Sequence, residues 1–321
     1  MEAKGGTELQ YAELEKRLDP SYFKKFQITT SVPEKEPIDP DKISILWQKN
    51  SYDQPNIAPW FSEKENHRKY DWYVFNSHWT YEKFRYLFGL PTHKCCVIKN
   101  ALPKKKFNKG DPIKLIHTST PWRGLNVLLG AMELIERDDI TLDVYSSTKI
   151  YGDAFDLQNK KQFKPMFDKI DSLKNVNNMG YTPNLQVIDA MQYTHIYSYP
   201  SIWEETFCIS AIEAMAAGNM AIVTNFGALY ETCTEYAHYV NYETNMYTLA
   251  KKFKAVIEFV ADNYHEPVLH EKLVDQMKYY RTFYNWDVRV KEWESLEYQR
   301  LRKLEYPKIE DQLDLLFHKG I

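Results

Sequence analysis

Short apolar runs alternate with longer amphipathic stretches along this chain. That is the rhythm of parallel α/β sheets, in which buried strands are followed by covering helices. The pattern predicts a helix at about Thr7–Leu18, then strands near Phe26–Val32, Ile43–Trp47 and Trp72–Asn76. A helix from about Thr80 to Phe88 and a short strand at Cys96–Lys99 complete this series. Ala101–Pro112 is rich in Pro, Lys and Gly and has no apolar period, so it reads as a linker. Its lysines (Lys104, Lys105, Lys106, Lys109) read as a solvated hinge surface. A second series opens at Lys114–Thr118, with a helix at Leu125–Arg137 and strands near Thr141–Tyr145, Val176–Met179, Thr194–Pro200 and Met220–Thr224. A small-residue helix, Phe207–Ala217, sits between the last two strands and stops at Gly218. Helices at about Met246–Ala261 and His270–Tyr280 close the series. In the tail, Trp286, Val290, Trp293, Leu296 and Leu301 recur at roughly helical spacing. The expected organisation is two α/β domains, 1–110 and 111–285, with the 286–321 tail helix packing back on the first. A cleft between two such domains is a usual place for a ligand.

Composition narrows the class. The 321 residues are 44% hydrophobic and 26% charged, as in a soluble globular protein. A net charge of −3 provides no basic field for nucleic acid or an anionic membrane. No run of about 18 apolar residues exists, and Met1-Glu2-Ala3-Lys4 does not open a signal peptide. The four cysteines have no metal-ligand spacing and are too few for a disulfide framework, so a reducing, cytoplasmic setting is expected. The 24 Tyr, 16 Phe and 8 Trp suit a dense core and equally suit stacking on sugars.

The most informative chemistry is the pair Glu205 and Glu213. A buried strand stops just before the first, and a helix carries the second. A helix N-terminus has unpaired amides and a partial positive charge, which suits an anion. Carboxylates only accept hydrogen bonds, which suits sugar and ribose hydroxyls. Arg123-Gly124 follows the first strand of the second series and opens a helix. Its guanidinium fits a phosphate fork, or else pairs with a surface acid. Gly227 and Ala228 lie in a similar turn after the last strand, and Glu231 either orients that loop or caps the next turn. Gly5-Gly6 before Glu8 is a third glycine loop that opens a helix. His78 and His195 lie near strand ends and read as structural.

Taken together, these residues resemble the retaining, GT-B-fold nucleotide-sugar glycosyltransferases of the large family four. The resemblance rests on Pro200-Ser201, Glu205-Thr206-Phe207, Glu213–Gly218 and Gly227–Glu231. Arg123-Gly124, Gly180-Tyr181, Gly5-Gly6-Thr7-Glu8 and Asn285-Trp286 add to it. It implies an α/β fold of two Rossmann-like domains whose parallel sheets face across a cleft. It also implies metal-independent transfer of a hexose from a UDP- or GDP-sugar, with no cofactor beyond that donor. The roles it implies are catalytic for Glu205, Arg123 and Lys49, with Glu205 on the donor sugar and Arg123 on the diphosphate. Glu213 would hold the ribose, and Thr206, Phe207, Cys208, Gly124, Tyr181, Gly5, Gly6 and Gly227 would line the donor.

Several positions depart from the family pattern. Thr118 stands where many members carry a second arginine, Cys208 replaces a glycine, and Ala101 stands in the Asn-Gly turn. Lys49 takes the place of a histidine; it either supplies charge near the donor or is a solvated lysine at a strand end. The first domain is expected to be abbreviated. Glycan, lipid-linked sugar, protein and nucleic acid all stay open as acceptors. A catalytically silent nucleotide-sugar-binding or partner-binding protein is the alternative. A sugar-nucleotide epimerase shares the architecture but would need acid/base residues that are not identifiable here.

Overall fold

The computed structural model describes residues 5–101 and 112–305, with side chains as far as Leu296. The linker lysines and residues 306–321 lie outside the described residues. Helices α1 (Gly6–Glu15) and α2 (Tyr22–Lys25) lead into β1 (Phe26–Thr30) and β2 (Ile43–Gln48). Helix α3 (Ala58–Ser62), β3 (Trp72–Phe75), α4 (His78–Phe88) and β4 (Cys95–Val97) complete the first half. The second half begins with β5 (Ile113–Thr118), α5 (Leu125–Leu134), β6 (Ile140–Tyr145), α6 (Asp153–Ser172) and β7 (Val176–Asn178). It continues with α7 (Asn184–Ala190), β8 (Ile196–Tyr199), α8 (Ile209–Ala216), β9 (Met220–Thr224), α9 (Leu229–Cys233) and β10 (His238–Val240). Helices α10 (Met246–Asn263), α11 (Pro267–Phe283) and α12 (Trp286–Glu305) follow.

Both sheets are parallel and covered on both faces, and the two-residue period of a strand sorts their side chains. In the first sheet, Ile43, Ile45, Trp47, Trp72 and Val74 enter one core, and Leu46, Tyr73 and Phe75 the other. In the second, Leu115, Ile196 and Ile222 pack beneath α5 and α10, whereas Ile116, Tyr197 and Val223 meet α8. Among the described residues the first sheet has four strands in the order β1-β2-β3-β4, with no reversal. The second has six, β10-β9-β8-β5-β6-β7, so its strand order reverses between β5 and β8. In open α/β sheets the crevice at such a reversal is where ligands bind.

Some expectations need correction. Helix α5 ends at Leu134 rather than Arg137, because Ile135 turns to extended backbone. Helix α8 starts at Ile209 rather than Phe207, because Cys208 is extended as its N-cap and Phe207 is turned into the core. The twenty-residue α6 matches no expected element; it buries little beyond Phe163 and Ile170 and carries Pro165 in its interior. The short α7 and edge strand β10 likewise match no expected element, whereas α9 is the helix that the Gly227 turn leads into. The tail helix inserts Trp286, Trp293 and Leu296 into the core of the first sheet. Trp293 is 1% exposed and meets Trp47 edge-on at 4.9 Å.

Truncating so buried an indole leaves a cavity, so Trp293→Ala is expected to cost about 3–5 kcal/mol in chemical unfolding. Val268→Ala, at a position 77% exposed, is expected to stay within about 0.5 kcal/mol in the same measurement.

Candidate functional site

The loops leaving β5 and β8 meet at the strand-order reversal. Gly124 has φ +104°, and a Cβ there would lie 2.0 Å from the Pro200 carbonyl oxygen. Only glycine allows this contact, and it sets Arg123 beside the 200–208 loop. Arg123 Nη1 donates to both oxygens of Glu205, at 2.7 and 2.9 Å. The Tyr199 hydroxyl donates to Glu205 Oε1 at 2.5 Å. Glu205 is 3% exposed. Burial works against the charge on Arg123, but Glu205, Tyr199 and Tyr151 together more than offset it and hold the guanidinium protonated. Burial, then Glu205, pushes the Tyr199 phenol well above its ordinary value. Glu205 is the buried member and Arg123 is 29% exposed, so removing the guanidinium would leave a buried carboxylate without its counter-charge. Arg123 therefore pairs with a buried acid rather than a surface one.

The loop from β8 to α8 is fastened on several sides. Gly227 has φ +62°, and a Cβ there would lie 2.5 Å from the Glu205 amide nitrogen. The Ala228 amide donates to the Glu205 carbonyl at 2.7 Å. Phe207 packs against Tyr284, with ring centroids 5.9 Å apart. Cys208 Sγ lies 3.4 Å from Ser210 Oγ and 3.5 Å from the Tyr197 hydroxyl, and burial pushes the thiol up to about 11. The Phe207 and Cys208 side chains therefore serve the core. Thr206 faces the first half of the molecule: its hydroxyl donates to the Lys49 carbonyl at 2.9 Å. Its carbonyl accepts from Ser77 Oγ at 2.7 Å and Thr80 Oγ1 at 3.1 Å.

Glu213 lies in the second turn of α8, 7% exposed, and accepts from Asn184 Nδ2 at 3.2 Å. Burial pushes its carboxyl up to about 7, against the pull of Asn184. Asn184 opens α7 directly after the turn that holds Gly180 (φ +59°) and the half-buried Tyr181. The Tyr181 loop is thus tied to Glu213 through Asn184.

From the first half, Gly6 lies against the start of α8, where a Cβ would meet Ile209 Cδ1 at 2.9 Å. Gly5 is buried beside it. Lys49 is not a solvated lysine: it is 8% exposed, donates to Asn100 Oδ1 at 2.6 Å and sits 3.7 Å over the Trp47 ring. Burial pulls its amine well below the ordinary lysine value, with Glu8 opposing. His195 Nδ1 accepts from the Lys114 amide at 3.0 Å, a structural role, and His78 is exposed. Glu231 does not cap its own turn; it reaches the start of α4 in the first half.

Apart from Thr118, sequence reasoning missed a group of polar side chains at the strand ends. His117 Nε2, Thr118 Oγ1, Thr120 Oγ1, Ser146 Oγ and Ser198 Oγ are buried without a protein partner among the described residues. Gln48, Ser51 and Asn76 have such atoms at the ends of β2 and β3. Burial pushes His117 down to about 4, so it is neutral at pH 7. Buried polar atoms rarely lack partners, and here they concentrate where both sheets end toward the junction. The available signal was a polar residue closing an apolar strand. Among the described residues no three His, Cys, Asp or Glu side chains group as metal ligands, and no helix is long and apolar enough to cross a membrane.

The family model for glycosyl transferases group 1 matches residues 98–265, just over half of the chain. No curated protein matches the sequence. The chain is similar in structure to a glycosyltransferase from Rickettsia africae, with 14% identity, 94% of this chain and 83% of that one covered, and a TM-score of 0.65. It is also similar to sucrose-phosphate synthase from Thermosynechococcus elongatus, with 14% identity, 92% and 79% covered and a TM-score of 0.63. HepE from Anabaena in complex with UDP and glucose is 14% identical, with 80% and 72% covered and a TM-score of 0.57. At these identities the structural likeness speaks for the fold. Combined with the family match, it places two facing Rossmann-like halves in the GT-B architecture, and the chain belongs to the glycosyl transferases group 1.

Proposed function

We propose that this protein is a retaining hexosyltransferase that moves a sugar from a UDP- or GDP-sugar to an acceptor. One observation carries the reading. At the reversal between β5 and β8, the Arg123 guanidinium is bonded to the buried Glu205 carboxylate, and the Gly124 and Gly227 turns lie directly against the main chain on either side of it. The HepE complex with UDP and glucose adds support for a uridine diphosphate donor. In this reading Arg123 exchanges Glu205 for the donor diphosphate, and Glu205 accepts from sugar hydroxyls. Each charge then keeps a partner throughout, which avoids stranding either one. When the bond from the sugar to the diphosphate breaks, the electron pair leaves with the diphosphate. Arg123 and the backbone donors stabilise that developing charge, an electrostatic role that uses no metal and no cofactor. Glu213 takes the ribose hydroxyls, with Tyr181 beside the base. The proposed setting is cytoplasmic.

A second reading, a protein that binds the donor without turning it over, is favoured by the Arg123–Glu205 pair. Each already satisfies the charge of the other. Incubation with UDP-glucose or GDP-mannose separates the two: slow hydrolysis of the donor supports the enzyme, whereas tight binding without turnover supports the silent protein. For the enzyme, Glu205→Gln and Arg123→Ala are each expected to lower kcat/KM about 10²–10³-fold. Wild-type turnover in both variants would refute the assignment. Turnover is expected to be unchanged by excess EDTA.

Glu213 supplies a pH test. Its carboxyl holds a proton up to about pH 7 in the free protein, and ribose hydroxyls favour the ionised, acceptor-only form. Nucleotide affinity is therefore expected to rise with pH toward 7, by at most about tenfold per unit, and to level off above it. The free protein moves the opposite way: its folded state binds the extra proton, so stability falls as pH rises from about 4.5 to beyond 7. Glu213→Gln is expected to flatten both profiles, read by calorimetry and by thermal melts.

A further inference from the structure

The two halves are joined by a carboxylate that crosses the junction. Glu231, in α9, accepts from the His78 amide through Oε1 and from the Trp79 amide through Oε2, both at 3.0 Å. These are the first two amides of α4, an eleven-residue helix of the opposite half. The third, Thr80, donates to the Ser77 hydroxyl at 3.1 Å. Lys99, at the end of the first sheet, also bonds Glu231 Oε1. A carboxylate at a helix start gains from both the unpaired amides and the dipole. Here these partners hold the Glu231 carboxyl below its ordinary value, although burial opposes them.

Glu231 is three residues beyond Ala228, whose amide is bonded to the Glu205 carbonyl. One residue past Glu205, Thr206 is held by Ser77 and Thr80 of the same α4 start. The turn that lies against Glu205 and the residue that grips the first half are thus three residues apart, on the Gly227 turn and in the helix it opens. We propose that Glu231 is a positioning residue: it clasps the start of α4 so that the acceptor-side half is held against the donor site in its closed arrangement. The consequence for the reaction rests on the donor reading above; the clasp itself does not.

The two are tested separately. Small-angle scattering without nucleotide reads the clasp alone. Glu231→Gln, which faces the α4 amides with an uncharged group, is expected to increase the radius of gyration relative to wild type. His78→Pro provides a second route. Proline is tolerated at the first position of a helix, Ser77 before it is already extended, and the substitution deletes one amide that Glu231 uses. It is expected to act in the same direction, and adding it to Glu231→Gln is expected to produce little further opening.

The kinetic arm measures UDP affinity and transfer. Glu231→Gln is expected to change the UDP Kd less than about threefold and to lower kcat about 100-fold, the size of a loss from misplacement alone. Wild-type scattering in both variants, with melting temperatures showing both folded, would overturn the clasp. Opening without loss of turnover would overturn its positioning role. Failure of UDP to bind the wild type would instead overturn the donor reading and leave the scattering result standing.

Discussion

Backbone has to lie directly against backbone on both sides of the loop that leaves β8. At Gly124 a single methyl group would sit on the Pro200 carbonyl, and at Gly227 it would sit on the Glu205 amide. Both glycines have positive φ, so their freedom is used for conformation and for space at once. Because the three loops touch in this way, the Arg123 guanidinium reaches a carboxylate that is almost wholly removed from water. The Tyr199 hydroxyl and the Ala228 amide then hold that carboxylate and its backbone in place. The electrostatics of the site follow from this contact between main chains.

The central strands were legible because they are buried on both faces and bounded by polar or turn residues, as in Ile43–Gln48 and Met220–Thr224. The glutamates, Arg123-Gly124 and the three glycine loops were legible for a different reason: their residue types are set by close approach and charge rather than by periodicity. Helix α6 escaped because its first half is exposed and lysine-rich, and Pro165 interrupts the short apolar stripe of Phe163, Met166, Phe167 and Ile170. At three residues an edge strand carries little pattern: β4 and β7 were found, and β10 was not.

Partnerships were harder to read than positions. Arg123 and Glu205 are 82 residues apart, and nothing local says that their charges meet. Lys49 looks like a surface lysine until the Trp47 ring, Asn100 and the second half enclose it. Glu231 looks like a residue of its own turn until a helix from the other half is brought to it. In each case the missing information is the crossing of the two halves, which depends on tertiary packing.

The place of α12 has a consequence for how the molecule is made. Trp286, Trp293 and Leu296 lie in the same core as Leu14, Phe26 and Trp47, so the hydrophobic interior of the first sheet contains side chains that follow the whole second sheet in sequence. The stretch from Ile113 to Phe283, in contrast, holds its whole sheet and covering helices in one uninterrupted segment. Contacts of such long sequence separation form late and slowly. The core of the first half is therefore complete only once α12 has packed back on it, after the second half has been made.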